Sequence, residues 1–181
     1  MILEFCADCG APLGKPPPCA CASCGAEFWD NAKPCGGAFV THRGRLLLVQ
    51  RAHAPWAGHW DVPGGFCDGA EHPEATTLRE VREETGLAIR LTGLLGMWID
   101  RYGDDTTYAT LNIYFHAVPD PDGPDGPDGV DGDVVAAVVA EDEIAAVRWF
   151  TPAELADAPL AFSDHMRDAV DRWLTWDAGR T

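Results

Sequence analysis

The residues of this chain best suited to chemistry are three glutamates, Glu80, Glu83 and Glu84, set among Arg79 and Arg82. At about 100° per residue these carboxylates share one face of a helix. Ala75, Leu78 and Val81 recur at three-residue spacing and mark the opposite face for burial. Pro73 suits the first helical turn, where a missing N–H is no loss, and Gly86 suits the left-handed position after the last. Three carboxylates on one face repel one another unless positive charge sits between them. Two arrangements satisfy this: a solvated acidic face with the arginines as local partners, or hard oxygen ligands for Mg²⁺ or Mn²⁺, which take a few carboxylates plus substrate phosphates.

A second constellation lies near the start. Of seven cysteines, six fall within the first 35 residues. Cys6-Ala7-Asp8-Cys9-Gly10 and Cys21-Ala22-Ser23-Cys24-Gly25 are two C-x2-C-G knuckles, eleven residues apart. The spacing suits a tetrahedral four-thiolate Zn²⁺ site from Cys6, Cys9, Cys21 and Cys24, with Cys19 an alternative to Cys21. A disulfide framework fits less well, because the count is odd and the N-terminus lacks the basic and apolar regions of a signal peptide. Cys35 and Cys67 read as ordinary small core or loop residues.

The elements around these clusters follow from punctuation and period. Residues 1–34 form the ribbon, with Pro16-Pro17-Pro18 between its knuckles, and a second domain runs from 35 to 181. Gly36–His42 and Arg45–Gln50, joined by Arg43-Gly44, predict a β-hairpin. Trp60–Phe66 predicts a short strand breaking into a glycine turn that lets backbone pass close to a metal or phosphate. Leu91–Ile99 and Thr107–Val118 predict strands; in the second, Tyr108, Thr110, Asn112 and Tyr114 alternate with Ala109, Leu111, Ile113 and Phe115. Residues 119–133 hold six Asp, four Pro and four Gly, which predicts a mobile acidic loop. Val147–Phe150 predicts a last strand. Thr151-Pro152-Ala153-Glu154 is a capping box opening a helix, and Ser163-Asp164 opens another carrying Met166, Val170, Trp173 and Leu174. The order predicts a mixed sheet with helices on both faces.

At 181 residues the chain can bury one good-sized core plus a small appendage. A net charge of −16 and a pI near 4.5 argue against nucleic acid as a partner. Residues 1–36 carry Lys15 and Lys33 against Glu4, Asp8, Glu27 and Asp30, so the ribbon reads as structural or dimerising. No apolar run approaches the roughly eighteen residues of a membrane span, and a cytoplasmic protein is expected.

From Gly65 to Leu87 the sequence follows G-x5-E-x7-R-E-U-x-E-E-x-G-U, U being aliphatic, with all nine specified positions filled over 23 residues. This resembles the Nudix box, the signature of hydrolases that cut nucleoside diphosphates linked to another group. The resemblance implies an α/β/α sandwich with a mixed sheet, here preceded by a four-cysteine ribbon like that of the NADH pyrophosphatase group. It implies Mg²⁺ or Mn²⁺ held by the Gly64 carbonyl, Glu80, Glu83 and Glu84. Glu71 and Arg79 would be mainly structural, Arg79 orienting a catalytic glutamate. Glu80 is the helix candidate for general base; Glu141 or Glu143 would supply a further ligand or base, or belong to a solvated acidic turn. Arg51 and Arg101 are candidate phosphate contacts. Trp56, Trp60, Trp98 and Tyr102 can stack a base or simply pack. The expected substrate is a nucleotide-derived small molecule, ADP-ribose or a dinucleotide, cleaved to a nucleoside monophosphate, by a protein that can form a homodimer. Residues 88–106 lack the serine-glutamine-proline-tryptophan motif of NADH-preferring members and the proline of ADP-ribose-preferring ones. A rival of another class is a non-catalytic, nucleotide-sensing Nudix module using the ribbon as its interaction surface.

Overall fold

A computed structural model describes residues 3–102, 108–123 and 143–178. Glu141 and most of the expected acidic loop lie outside them. Strands β1 (Cys19–Ala20) and β2 (Glu27–Phe28) form a small antiparallel pair in the N-terminal segment. The main sheet contains β3 (Lys33–His42), β4 (Arg45–Arg51), β5 (Trp60–Asp61), β6 (Gly64–Phe66), β7 (Ile89–Tyr102), β8 (Tyr108–Pro119) and β9 (Ile144–Phe150). Its path is β5-β4-β3-β8-β7, with β6 added to β3 and β9 to β4. Only the β3–β8 pair is parallel among these, so the sheet is mixed.

Two apolar runs explain the layers. Successive strand side chains point to opposite faces, so a strand buried on both sides needs a continuous apolar run. Phe39, Leu46 and Leu48 enter one core with Leu155 of α2 (Pro152–Asp157) and Met166, Val170 and Trp173 of α3 (Ser163–Ala178). Ala38, Val40 and Leu47, the alternate residues, enter a second core with Val81 of α1 (Pro73–Thr85). The result is a sheet covered by α1 on one face and by α2 and α3 on the other. Trp173 is fully buried and its indole N–H donates to Thr41 Oγ1 at 2.7 Å, tying α3 to β3. Truncating it to alanine would cost about 3–5 kcal/mol.

Local signals set the ends. The β3–β4 hairpin turns at Arg43 and Gly44, both with positive φ, as a two-residue turn matched to strand twist requires. Helix α1 is capped by His72, starts on Pro73 and ends at Gly86 with φ 73°. Thr151 and Glu154 cap α2 reciprocally. The buried face of α1, however, is Thr76, Thr77, Val81 and Thr85, while Ala75 and Leu78 are exposed. The helix lies so close to β3 that a leucine would not fit between them. The threonine hydroxyls are satisfied there by helix carbonyls, Thr77 to Pro73 and Thr85 to Val81. No helix among the described residues is long and apolar enough to cross a membrane.

Candidate active site

Arg79 of α1 gathers Glu80 and Glu83 of the same helix with Glu71 just before it. Arg79 donates through Nε and Nη2 to both oxygens of Glu71, at 3.1 and 2.9 Å, and through Nη1 to Glu80 at 2.9 Å and Glu83 at 2.8 Å. Glu71 is itself fixed by Thr76 Oγ1 at 2.8 Å. The Arg79 hydrogen bonds hold the Glu71 carboxyl down at about 2, and the three carboxylates raise Arg79, so the Glu71–Arg79 pair stays ionised. A guanidinium shared in this way aims carboxylates that would otherwise repel.

The glycine stretch expected as a turn is a strand. β6 pairs with β3 in the register Gly36↔Gly65 and Gly37↔Gly64. A Cβ on Gly65 would lie 2.4 Å from Glu80 Oε1, so Glu80 rests its carboxylate against bare backbone. A Cβ on Gly36 would lie 2.5 Å from the Pro73 carbonyl oxygen and 2.6 Å from Thr77 Oγ1, so α1 sits against bare backbone too. Gly64 N–H donates to Glu84 Oε2 at 2.9 Å. Burial pushes the Glu84 carboxyl well up, with the nearby Glu80 and Asp61 charges adding to it. Two carboxylates thus converge on Gly64-Gly65, Glu80 held by Arg79 and Glu84 buried against the Gly64 N–H. That donor set suits a hard divalent cation.

Beside it opens a cavity of about 190 Å³. Gly64, Gly65 and Glu84 line one part, and Arg51, Asp61, Phe66, Tyr102, Asn112, Tyr114, Glu143 and Phe162 also face it. Arg51 donates to Tyr102 Oη at 3.1 Å and to the Pro55 carbonyl at 2.9 Å, and lies 3.7 Å from Asp61. Burial raises the Asp61 carboxyl to about 6 against the pull of Arg51. Phe66, Tyr102 and Tyr108 cluster at 5.7–6.3 Å, and Phe162 stacks on Tyr102 at 5.9 Å. The cavity therefore joins a carboxylate end to aromatic faces.

In the N-terminal segment the Sγ atoms of Cys6, Cys9, Cys21 and Cys24 all lie within 4.8 Å of one another. Cys6–Cys24 and Cys9–Cys21 are 3.6 and 3.7 Å apart, close to the edge of about 3.8 Å that a tetrahedron of Zn–S bonds near 2.3 Å requires. The two knuckles repeat one geometry. Gly10 N–H donates to Cys6 O and Gly25 N–H to Cys21 O, both at 2.9 Å, with φ 73° and 79° at the glycines. Backbone N–H groups of Cys24 and Ser23 lower the Cys21 thiol to about 7. Cys19 instead pairs with Phe28 across β1–β2 and packs in a small core with Leu13. The four thiols fit a zinc ion.

Of the residues expected around a substrate, Arg51, Tyr102 and Glu143 line the cavity. Trp98 does not: it packs against Tyr114 and donates to Asp168 of α3 at 2.7 Å, on the core side. Arg101 is exposed and is not among the lining residues, because it alternates with Tyr102 on β7 and takes the other face. Trp60 packs on Phe150, and Trp56 meets Phe162 at 6.0 Å. Cys35, expected as an ordinary core or loop residue, faces the cavity. Asp61, Asn112, Tyr114 and Phe162 went unexpected. The period of two in β8 separated the polar set from the apolar one without saying which faces inward; up to Tyr114 the buried residues are Thr110, Asn112 and Tyr114, and beyond it Phe115 is buried too.

A family profile described as the NUDIX domain matches residues 34–173. The chain is similar to a protein of Methanocaldococcus jannaschii named ADP-ribose pyrophosphatase, 39% identical over 136 residues, 75% of this chain and 69% of the relative. It is similar to a MutT-like protein of Streptomyces ambofaciens, 30% identical over 136 residues, 75% of this chain and 74% of that one. Among solved structures it resembles a MutT NUDIX hydrolase of Burkholderia pseudomallei, with a TM-score of 0.60 and 26% identity, over 78% of this chain and 98% of the other.

Proposed function

The chain belongs to the Nudix family, and on that premise we propose that it is a divalent-metal-dependent pyrophosphatase of nucleoside diphosphates linked to a second moiety. The observation that carries this reading is the convergence of Glu80 and Glu84 on the bare Gly64-Gly65 backbone, at the edge of a cavity with aromatic faces. The similarity to a relative named ADP-ribose pyrophosphatase supports the substrate class.

Gly64 O, Glu80, Glu83 and Glu84 would hold Mg²⁺ or Mn²⁺, which when bound supplies neutralisation of phosphate oxygens and a lower pKa for water. Glu80, aimed by Arg79, takes the proton from the attacking water. The water oxygen bonds to one phosphorus, the bridging P–O bond breaks, and the bridging oxygen leaves on the other phosphate. One product is a nucleoside monophosphate. Arg51, at the cavity wall, contacts a phosphate, while Phe66 and Tyr102 offer ring faces to the base. Glu143 stands on the same wall as a further base or ligand. In the ribbon, Cys6, Cys9, Cys21 and Cys24 hold one structural zinc.

The test is product release across ADP-ribose, NADH, FAD, diadenosine polyphosphates and deoxynucleoside triphosphates, with Mg²⁺ or chelator. Diphosphate-linked substrates should be preferred over triphosphates by tenfold or more in kcat/KM, about 1.4 kcal/mol in transition-state binding, and chelation should abolish turnover. A tenfold preference for a triphosphate would overturn the substrate class. Micromolar binding of ADP-ribose with no product under any divalent metal would favour the sensor.

A further inference from the structure

Behind the cavity runs a chain of three side chains that the mechanism above leaves unused. Asp100, on β7, has its Oδ1 accepting from the Arg101 N–H at 2.6 Å and its Oδ2 2.7 Å from His165 Nδ1. His165, on α3, has its Nε2 2.9 Å from Tyr114 Oη. His165 and Tyr114 are both buried, at 8% and 6% exposure, and Tyr114 lines the cavity. A carboxylate only accepts, so a neutral His165 carries its proton on Nδ1. Nε2 is then an acceptor, and the Tyr114 O–H must point at it. The phenol oxygen is left with lone pairs for whatever enters the cavity.

We propose that Asp100 and His165 are positioning residues that hold Tyr114 as a hydrogen-bond acceptor, making it a specificity-determining residue for ligands that bring an N–H donor, above all the amino group of a nucleobase. The base fits this place because Phe66, Tyr102 and Phe162 give the same cavity its flat apolar walls. This rests on the reading of the cavity as a nucleotide site. A buried acceptor left without its donor is costly, which is why sites built to pair a polar group reject analogues lacking it.

The Arg101 N–H gives the idea a sharp test. In Asp100→Asn the side-chain oxygen keeps that bond, so the amide N–H₂ faces His165 Nδ1. The imidazole proton moves to Nε2 and donates to Tyr114 Oη, and the Tyr114 O–H turns into the cavity as a donor. Shape is kept and polarity reverses. Two readouts are taken: ¹⁵N shifts of the His165 ring, and kcat/KM for ADP-ribose, its analogue lacking the 6-amino group, and its hypoxanthine analogue. Wild type should show the Nδ1–H tautomer and favour ADP-ribose over the analogue lacking the 6-amino group by about tenfold or more. Tyr114→Phe should bring the two within about twofold. Asp100→Asn should show the Nε2–H tautomer and shift preference toward the 6-oxo ligand. Equal wild-type rates for the first two ligands, or an Nε2–H or doubly protonated ring in wild type, overturns the proposal. If nothing is hydrolysed but calorimetry ranks the ligands the same way, the pyrophosphatase reading fails and this one stands. Absence of both hydrolysis and binding overturns both.

Discussion

Single side chains in this site answer to opposite tests, and the difference separates chemistry from folding. Glu83 and Glu84 are proposed to act on charge that develops in the transition state, so Glu83→Gln or Glu84→Gln should lower turnover with Mg²⁺ by on the order of 10³-fold. Glutamine keeps the acceptor that Gly64 N–H needs, and thermal unfolding in chelator should show Glu84→Gln no less stable than wild type. Wild-type turnover in both variants would remove these residues from the chemistry. Asp61 offers a pH test. Its folded value of about 6 lies above the ordinary value of 3.8 because the carboxyl is buried. Between those values the folded state binds more protons than the unfolded one, so stability falls as pH rises through that window. Asp61→Asn should therefore unfold at a higher temperature than wild type at pH 7.5 in chelator, with the gap closing near pH 4. At about 1.4 kcal/mol per unit the gain is at most roughly 3 kcal/mol, reduced by whatever Arg51 loses as a partner. An unchanged gap between the two pH values would count against a carboxyl raised by burial.

At the scale of elements, the glycines of β3 and β6 divide into two kinds. Gly65→Ala would push only on the far end of Glu80, so activity should fall while the unfolding temperature stays near wild type. Gly36→Ala would push on the Pro73 carbonyl and Thr77, so α1 must lift off the sheet and the protein should lose stability first. Paired melting curves and rates for the two variants decide this. Gly64 and Gly65 were legible in the sequence as a place of close approach; their pairing as a strand was not, because glycine carries no side-chain period to read. Helix α1 shows the same limit. Its caps, Pro73 and Gly86, were readable, since each acts locally. Its buried face was not, since apolar spacing favoured Leu78 while the narrow gap over Gly36 selects threonine. The Asp100–His165 contact joins residues 65 apart, and no spacing rule reaches that far.

The whole molecule joins a segment too small to hold itself by apolar burial to a domain with two cores. The ribbon core is Leu13 and three cysteines with Leu3, Ala11, Ala26 and Phe28 against them, so the zinc proposed for its thiols would supply much of its stability. Protein purified without added zinc should contain about one zinc per chain, and Cys9→Ser should lose it; free thiols with no metal would refute the assignment. The two-core arrangement has a consequence for how the chain is made. β3 serves both cores, and its parallel neighbour β8 follows it by a long interval, Gly36 pairing with Ile113. At synthesis rates of roughly 5–20 residues per second, the interval between them lasts about 4–15 s. Through that time the β3–β4 hairpin, greasy on both sides, has emerged while half of its cover is still to be translated. The strand that unites the finished molecule is the one a nascent chain must shield longest.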